Sequence, residues 1–175
     1  SYNLQTNVNQ RRVLDAMAGE IELSDEQFLI SAYRATQYLE NLRNRATYDE
    51  LISTGAIGLI ADQALRETAV AVFTVPSLEQ ITEDTRNSEY RRLFRESVSA
   101  ELQDALLTRC GDRFVPELDY ANLENQLEYP CTLEVPPEKI RVAANTLKAM
   151  PRFVPALQAR FADNQTALYN LRVAN

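Results

Sequence analysis

Between Ile140 and Leu171 apolar residues return at alternating steps of three and four: Ile140, Ala143, Leu147, Met150, Val154, Leu157, Phe161, then Leu168 and Leu171, with Asn164 in the one polar place. That spacing draws a stripe along an α-helix; a strand would alternate its faces every second residue. Phe28, Ala32, Ala35, Leu39, Leu42 and Ala46 repeat the same rhythm. A chain so patterned is expected to be all-α, an antiparallel helical bundle whose short connections make sequence neighbours pack side by side. Only four glycines interrupt 175 residues, and 45% of them are hydrophobic. That is enough for one domain with a sizeable core.

Punctuation places the elements. Residues 2–22 read as a first helix with Leu4, Val8, Leu14, Met17 and Ile21 on its apolar side and a polar first half. Ser24 with Gln27 forms a capping box that opens a helix over 24–46. This helix should pair with the first as a hairpin; a second copy of the chain, in a homodimer, is the other candidate to cover its seam. Residues 47–74 read as a helix-turn-helix corner. Thr47 and Glu50 make a capping box there, Gly55 supplies a left-handed stop, Leu59 and Ile60 anchor the link to the core, and Asp62 caps a helix with Leu65 inside. Val75 precedes Pro76 and leaves helical angles.

Ser77 with Gln80 restarts a long helix over 77–109, with a break conceivable at Asn87-Ser88. Residues 110–136 form an irregular loop carrying Pro116, Pro130 and Pro136, where Val115 and Leu133 can pair as extended segments and Leu118, Tyr120, Leu123 and Leu127 can cap the bundle. Pro137 opens the C-terminal helical region, 137–172, kinked or broken near Met150 by Pro151 and Pro155. Asn164 is expected near a hydrated end of the bundle rather than in a ligand site.

Several chemistries fall away. There is no histidine, which removes Ser-His and Cys-His nucleophile pairs and every imidazole metal site. No glycine-rich phosphate loop is present. No catalytic residue, cofactor or metal is therefore expected. The net charge of −7 and the lack of a basic stripe argue against nucleic acid. Arg11-Arg12 and Arg91-Arg92 read as solvated helix faces. Asp25-Glu26, Asp49-Glu50 and Glu83-Asp84 fit helix starts, where negative charge is favoured. No run approaches the roughly 18 apolar residues of a membrane span.

The corner also carries a resemblance. Thr47, Tyr48, Glu50, Leu51, Ser53, Gly55, then Leu59-Ile60, Asp62 and Leu65-Arg66 resemble a signature in a family of uncharacterised bacterial single-pass membrane-anchored proteins. The resemblance implies a helical domain on the periplasmic side of the inner membrane. Its anchor would precede this sequence, with the polar first half of residues 2–22 as a stalk. No activity comes with the motif, and the residues that would bind a ligand stay unknown. Cys110 and Cys131 flank the irregular loop and admit two readings, a disulfide or two reduced buried thiols; the resemblance favours the bridge. These points lead to a non-catalytic extracytoplasmic domain working through protein or envelope contacts with an unknown protein partner. The alternative is a helical sensory domain binding a small molecule, for which Tyr33, Arg34 and Tyr38 are the candidate contacts.

Overall fold

The computed structural model describes residues 2–38, 45–74, 77–113 and 126–173. Every regular element among them is helical: α1 (Tyr2–Ala18), α2 (Asp25–Arg34), α3 (Ala46–Ser53), a 3-10 turn (Ala56–Leu59), α4 (Gln63–Thr74), α5 (Ser77–Arg86), α6 (Glu89–Ser97), α7 (Ala100–Cys110), α8 (Pro137–Ala149) and α9 (Phe153–Val173). The all-α expectation holds. Backbone contacts divide the chain into two compact units, Ser1–Leu39 with Thr85–Asn175, and Glu40–Asp84, where one domain was expected. The proposed seam positions Leu39 and Leu42, the Val75-Pro76 junction, and Val115, Leu118, Tyr120 and Leu123 lie outside the described residues.

In the larger unit α1 packs on α2 and α9, α2 on α7 and α8, and α6 on α8 and α9. The α1–α2 hairpin is therefore present. α2 begins with the full Ser24–Gln27 capping box, each side chain bonding the other residue's backbone N–H. It is the central helix, buried continuously from Phe28 to Arg34. Phe28 and Tyr90 both lie against Phe153, with ring centres at 6.1 and 5.3 Å. Phe94 meets Tyr33 at 6.1 Å. Val13, Leu29, Leu102, Leu106, Leu133, Leu147 and Leu157 complete the same core.

Three expectations are corrected here. The helix predicted over 24–46 stops at Arg34. Two of its last carbonyls are met by side chains, Tyr33 O by Thr36 Oγ1 at 2.6 Å and Ala32 O by the Tyr90 hydroxyl at 2.9 Å, and just past its end Arg91 Nη1 bonds Thr36 O at 3.0 Å. With those groups satisfied from outside, the apolar spacing beyond Arg34 no longer has to continue the same rod. The long helix predicted over 77–109 is three helices, α5, α6 and α7: the break conceivable at Asn87-Ser88 is present, and a second, unexpected one falls at Val98-Ser99. Ser88 and Ser99 each accept from a first-turn amide, Arg91 N and Leu102 N, and Val98 takes extended angles between α6 and α7. Serine hydroxyls compete with the helical ladder and favour such restarts. Gln103 Nε2 then donates to the carbonyls that the break leaves behind, Arg95 O and Val98 O.

The third correction concerns α1, which ends at Gly19 in the left-handed region (φ 76°) rather than near Glu22. Its inward face is Tyr2, Gln5, Thr6, Asn9, Gln10 and Val13, whereas Leu4 and Val8 are exposed. The polar half expected as a stalk is packed against α9 and α2. The break expected near Met150 is present: α8 ends at Ala149, Met150 is extended, and Pro155 sits in the first turn of α9. Pro137 opens α8 as expected.

Candidate functional site: a bridged strap and an arginine-lined cavity

Cys110 and Cys131 are joined as a disulfide, with Cα atoms 5.5 Å apart. The bridge ties the end of α7 to a strap, residues 126–136, that has no regular structure. A segment without its own ladder must find partners for its backbone elsewhere. Gln5 Oε1 accepts from Leu127 N at 2.7 Å and Glu128 N at 3.2 Å. Glu26 Oε1 accepts from Leu133 N at 2.7 Å. Arg34 Nε donates to Cys110 O at 3.2 Å and its Nη2 to Tyr129 O at 3.0 Å. Asn9 and Arg12 both bond the Glu128 carboxylate. This explains the polar face of α1: it serves the strap's amides and carboxylate, a task no apolar face can perform.

The Tyr129 ring is held by two guanidiniums, Arg34 at 4.6 Å and Arg113 at 3.5 Å from its centre, and its hydroxyl donates to Gly111 O at 2.6 Å. Gly111 has no room for a Cβ, which would collide with the backbone of Leu107. Arg34, a candidate ligand contact in the sequence, is thus spent on structure. Asn164 is buried at the α1–α9 seam rather than at a hydrated end, donating to Asn3 O at 3.1 Å and Gln10 Oε1 at 3.2 Å. Leu127, expected to cap the bundle, is fully buried.

The corner motif lies in the second unit. Gly55 has the left-handed angles expected of it (φ 71°), and Asp62 Oδ1 accepts from Leu65 N at 3.0 Å as a helix cap. Tyr48 is buried and stacks on Phe73 at 4.6 Å, while Arg45 Nη1 reaches Phe73 O at 2.7 Å. Arg66 Nη1 bonds Ile60 O at 3.3 Å. Ser53 Oγ and Thr54 Oγ1 both donate to Glu50 O, at 3.1 and 2.7 Å. Two details differ from the expectation. The helix starts two residues earlier than a Thr47 cap allows, after Arg45, and no side chain caps it. Leu59 is 84% exposed and Leu65 58%, so neither anchors a core; Leu51 is half-buried. Ile52 and Val70 are exposed as well.

The acidic pairs divide similarly. Asp25 and Glu26 do open α2, but Asp25 is paired with Lys148 at 2.8 Å and Glu26 holds the strap. Asp49 lies in the first turn of α3. Glu83-Asp84 lies in the last part of α5 rather than at a start.

A cavity of about 360 Å³, partly open to solvent, lies beside α6 in the larger unit. Tyr33, Phe94 and Leu107 give it apolar walls; Arg91 and Arg95 stand on the α6 side and Asp104 on the α7 side. Arg91 and Arg95 are one helical turn apart and so share a face. Among the described residues neither forms an ion pair, whereas Arg92 on the outer face approaches Glu96 at 4.0 Å. Arg91 spends Nη1 on Thr36 O, lies over the Tyr38 ring at 4.9 Å, and keeps a buried Nε with no partner. Burial, then the charge of Arg95, pushes its pKa down. Tyr33 is pushed up to about 12, by burial first and then by Asp112. The pairing Arg91-Arg92 looked like a solvated surface in the sequence. Tyr90, Phe94 and Val98 recur every four residues and mark the inward side of α6; Arg91 and Arg95 each follow one of them and flank that side, whereas Arg92 lies farther round. The hollow that the flanking arginines meet is set by the packing of α2 and α7 and has no mark in the sequence.

Two more hollows differ in charge state. One beside the disulfide holds Arg12 and Arg34, both already bonded; the other holds Glu101 and Lys139, paired with each other at 2.6 Å. Among the described residues no three histidine, cysteine, aspartate or glutamate side chains converge as metal ligands. None of the described helices is long and apolar enough to cross a membrane. Comparison with protein-family models, with curated proteins and with solved structures yields no match.

Proposed function

We propose that this chain is a non-catalytic extracytoplasmic domain, held on the periplasmic side of a bacterial inner membrane by an anchor outside this sequence, and that it works by contact with another protein or the envelope. The observation that carries the reading is the Cys110–Cys131 disulfide, a bond that persists in oxidising compartments and is rare in the cytosol. Two facts support it further. Without histidine, and with both cysteines bridged, the usual nucleophile–base pairs are missing. The corner that carries the resemblance also exposes Ile52, Leu59, Leu65 and Val70, and exposed apolar side chains grouped in one small unit suit a contact surface. The test is fractionation of cells expressing the full-length gene, followed by protease treatment of spheroplasts. Recovery in the membrane fraction with cleavage from the outside is expected. A soluble, protease-protected protein contradicts the proposal.

A second reading has its own observation. The cavity beside α6 combines apolar walls with arginines that, among the described residues, no acid meets at ion-pair distance, the combination that orients a small ligand between helices. A thermal-shift screen across neutral, cationic and anionic small molecules tests it: a reproducible rise in melting temperature supports ligand binding, and a flat response across the panel contradicts it.

A further inference from the structure

We infer that the cavity between α6 and α7 is a binding site for a small organic carboxylate, gripped by Arg91 and Arg95. The inference rests on the ligand-binding reading and adds the chemical class. Guanidiniums offer paired N–H donors in a planar fork that matches a carboxylate. Arg91 and Arg95 face the same cavity. Arg91 has Nη1 fixed to Thr36 O, so the direction of its guanidinium is set, while Arg95 is exposed and in no ion pair among the described residues.

Arg160, 5% exposed and not part of the cavity lining, is close enough to Arg91 for the two charges to repel. Three arginines therefore crowd one region. The carboxylates near them are Asp163 beside Arg160, Asp112 within electrostatic reach of Arg91, and Asp104 on the facing rim. None of these is within ion-pair distance of an arginine among the described residues. Asp104, across the cavity, disfavours a second negative charge on the ligand and welcomes an amino group. Phe94 and Leu107 supply an apolar wall for a short carbon chain. A monocarboxylate, amino acids included, fits this distribution; a compact polyanion does not.

The experiment titrates L-leucine, 4-methylpentanoate, isopentylamine and inorganic phosphate into the oxidised protein, followed by amide chemical shifts. At least one of the two carboxylate-bearing probes is expected to saturate in the millimolar range or tighter, with shifts centred on α6 and α7. Arg95→Ala, an exposed position whose loss leaves the core intact, should weaken that binding about tenfold or more. Arg92→Ala, on the outer face of the same helix, should leave it unchanged. If the amine saturates and the carboxylates do not, or phosphate alone binds, the site binds ligands but the assigned charge is wrong. If no probe saturates and the broad thermal screen is also flat, the inference falls together with the reading beneath it. Undiminished binding by Arg95→Ala also overturns it.

Discussion

Gln5 sits on an inward helix face, and its side-chain oxygen accepts from two successive backbone amides of the strap. Replacing it with leucine keeps the volume and satisfies the hydrophobic pattern, yet strands both amides in a dry interface. Gln5→Leu should therefore lose about 1–3 kcal/mol in chemical denaturation, despite the added apolar surface; an unchanged midpoint would show that the strap does not depend on this contact. Tyr33 gives a residue-scale prediction in pH. Its folded pKa is raised to about 12 by burial, above the value near 10 of an unfolded tyrosine. Its contribution is complete below about pH 10 and is lost as pH rises towards 12. Over that window the unfolded chain releases a proton that the folded chain keeps, so stability falls by about 1.4 kcal/mol per pH unit for this one group. The slope for Tyr33→Phe should be shallower by about that amount, and an equal slope would remove Tyr33 from the account.

Elements were legible where local chemistry decides them. The Ser24–Gln27 box, the left-handed Gly55, the Asp62 cap, Pro137 and the break at Met150 all depend on residues within a turn of one another. Boundaries set from a distance were not legible. At the end of α2 Thr36 and Tyr90 bond the carbonyls of Tyr33 and Ala32, and Arg91 holds Thr36 O just beyond the helix; Tyr90 and Arg91 lie more than fifty residues away in sequence. The inward face of α1 differs from the expected apolar stripe for a related reason: besides α9 and α2 it meets the irregular strap, whose amides and carboxylate require polar partners that apolar spacing does not mark. Gly19 shows what a local signal is worth. It ends α1 at φ 76°, and the amides of Gly19 and Glu20 donate back to Ala16 O and Asp15 O. A Cβ there meets no neighbour, so Gly19→Ala isolates the left-handed strain, and a loss of about 1–2 kcal/mol is expected. A neutral substitution, measured by thermal unfolding, would mean the helix end relaxes instead.

At the scale of the molecule, two units share one chain, and the candidate functions divide between them: an arginine-lined cavity in the larger, an apolar-surfaced corner in the smaller. The corner was the most legible stretch in the sequence, since its turn residues are local. The cavity was not, because it needs α2, α6 and α7 brought together. What joins these observations is the bridge that fastens the strap, closing a loop between residues 21 apart in sequence, for which the chain-entropy model gives about 3 kcal/mol. The most direct measurement is a count of free thiols in the protein isolated without reductant, denatured, alkylated and weighed by mass spectrometry. The account predicts no alkylated cysteine and a Cys110–Cys131 linked peptide. Two alkylated cysteines would contradict both the bridge and the compartment inferred from it.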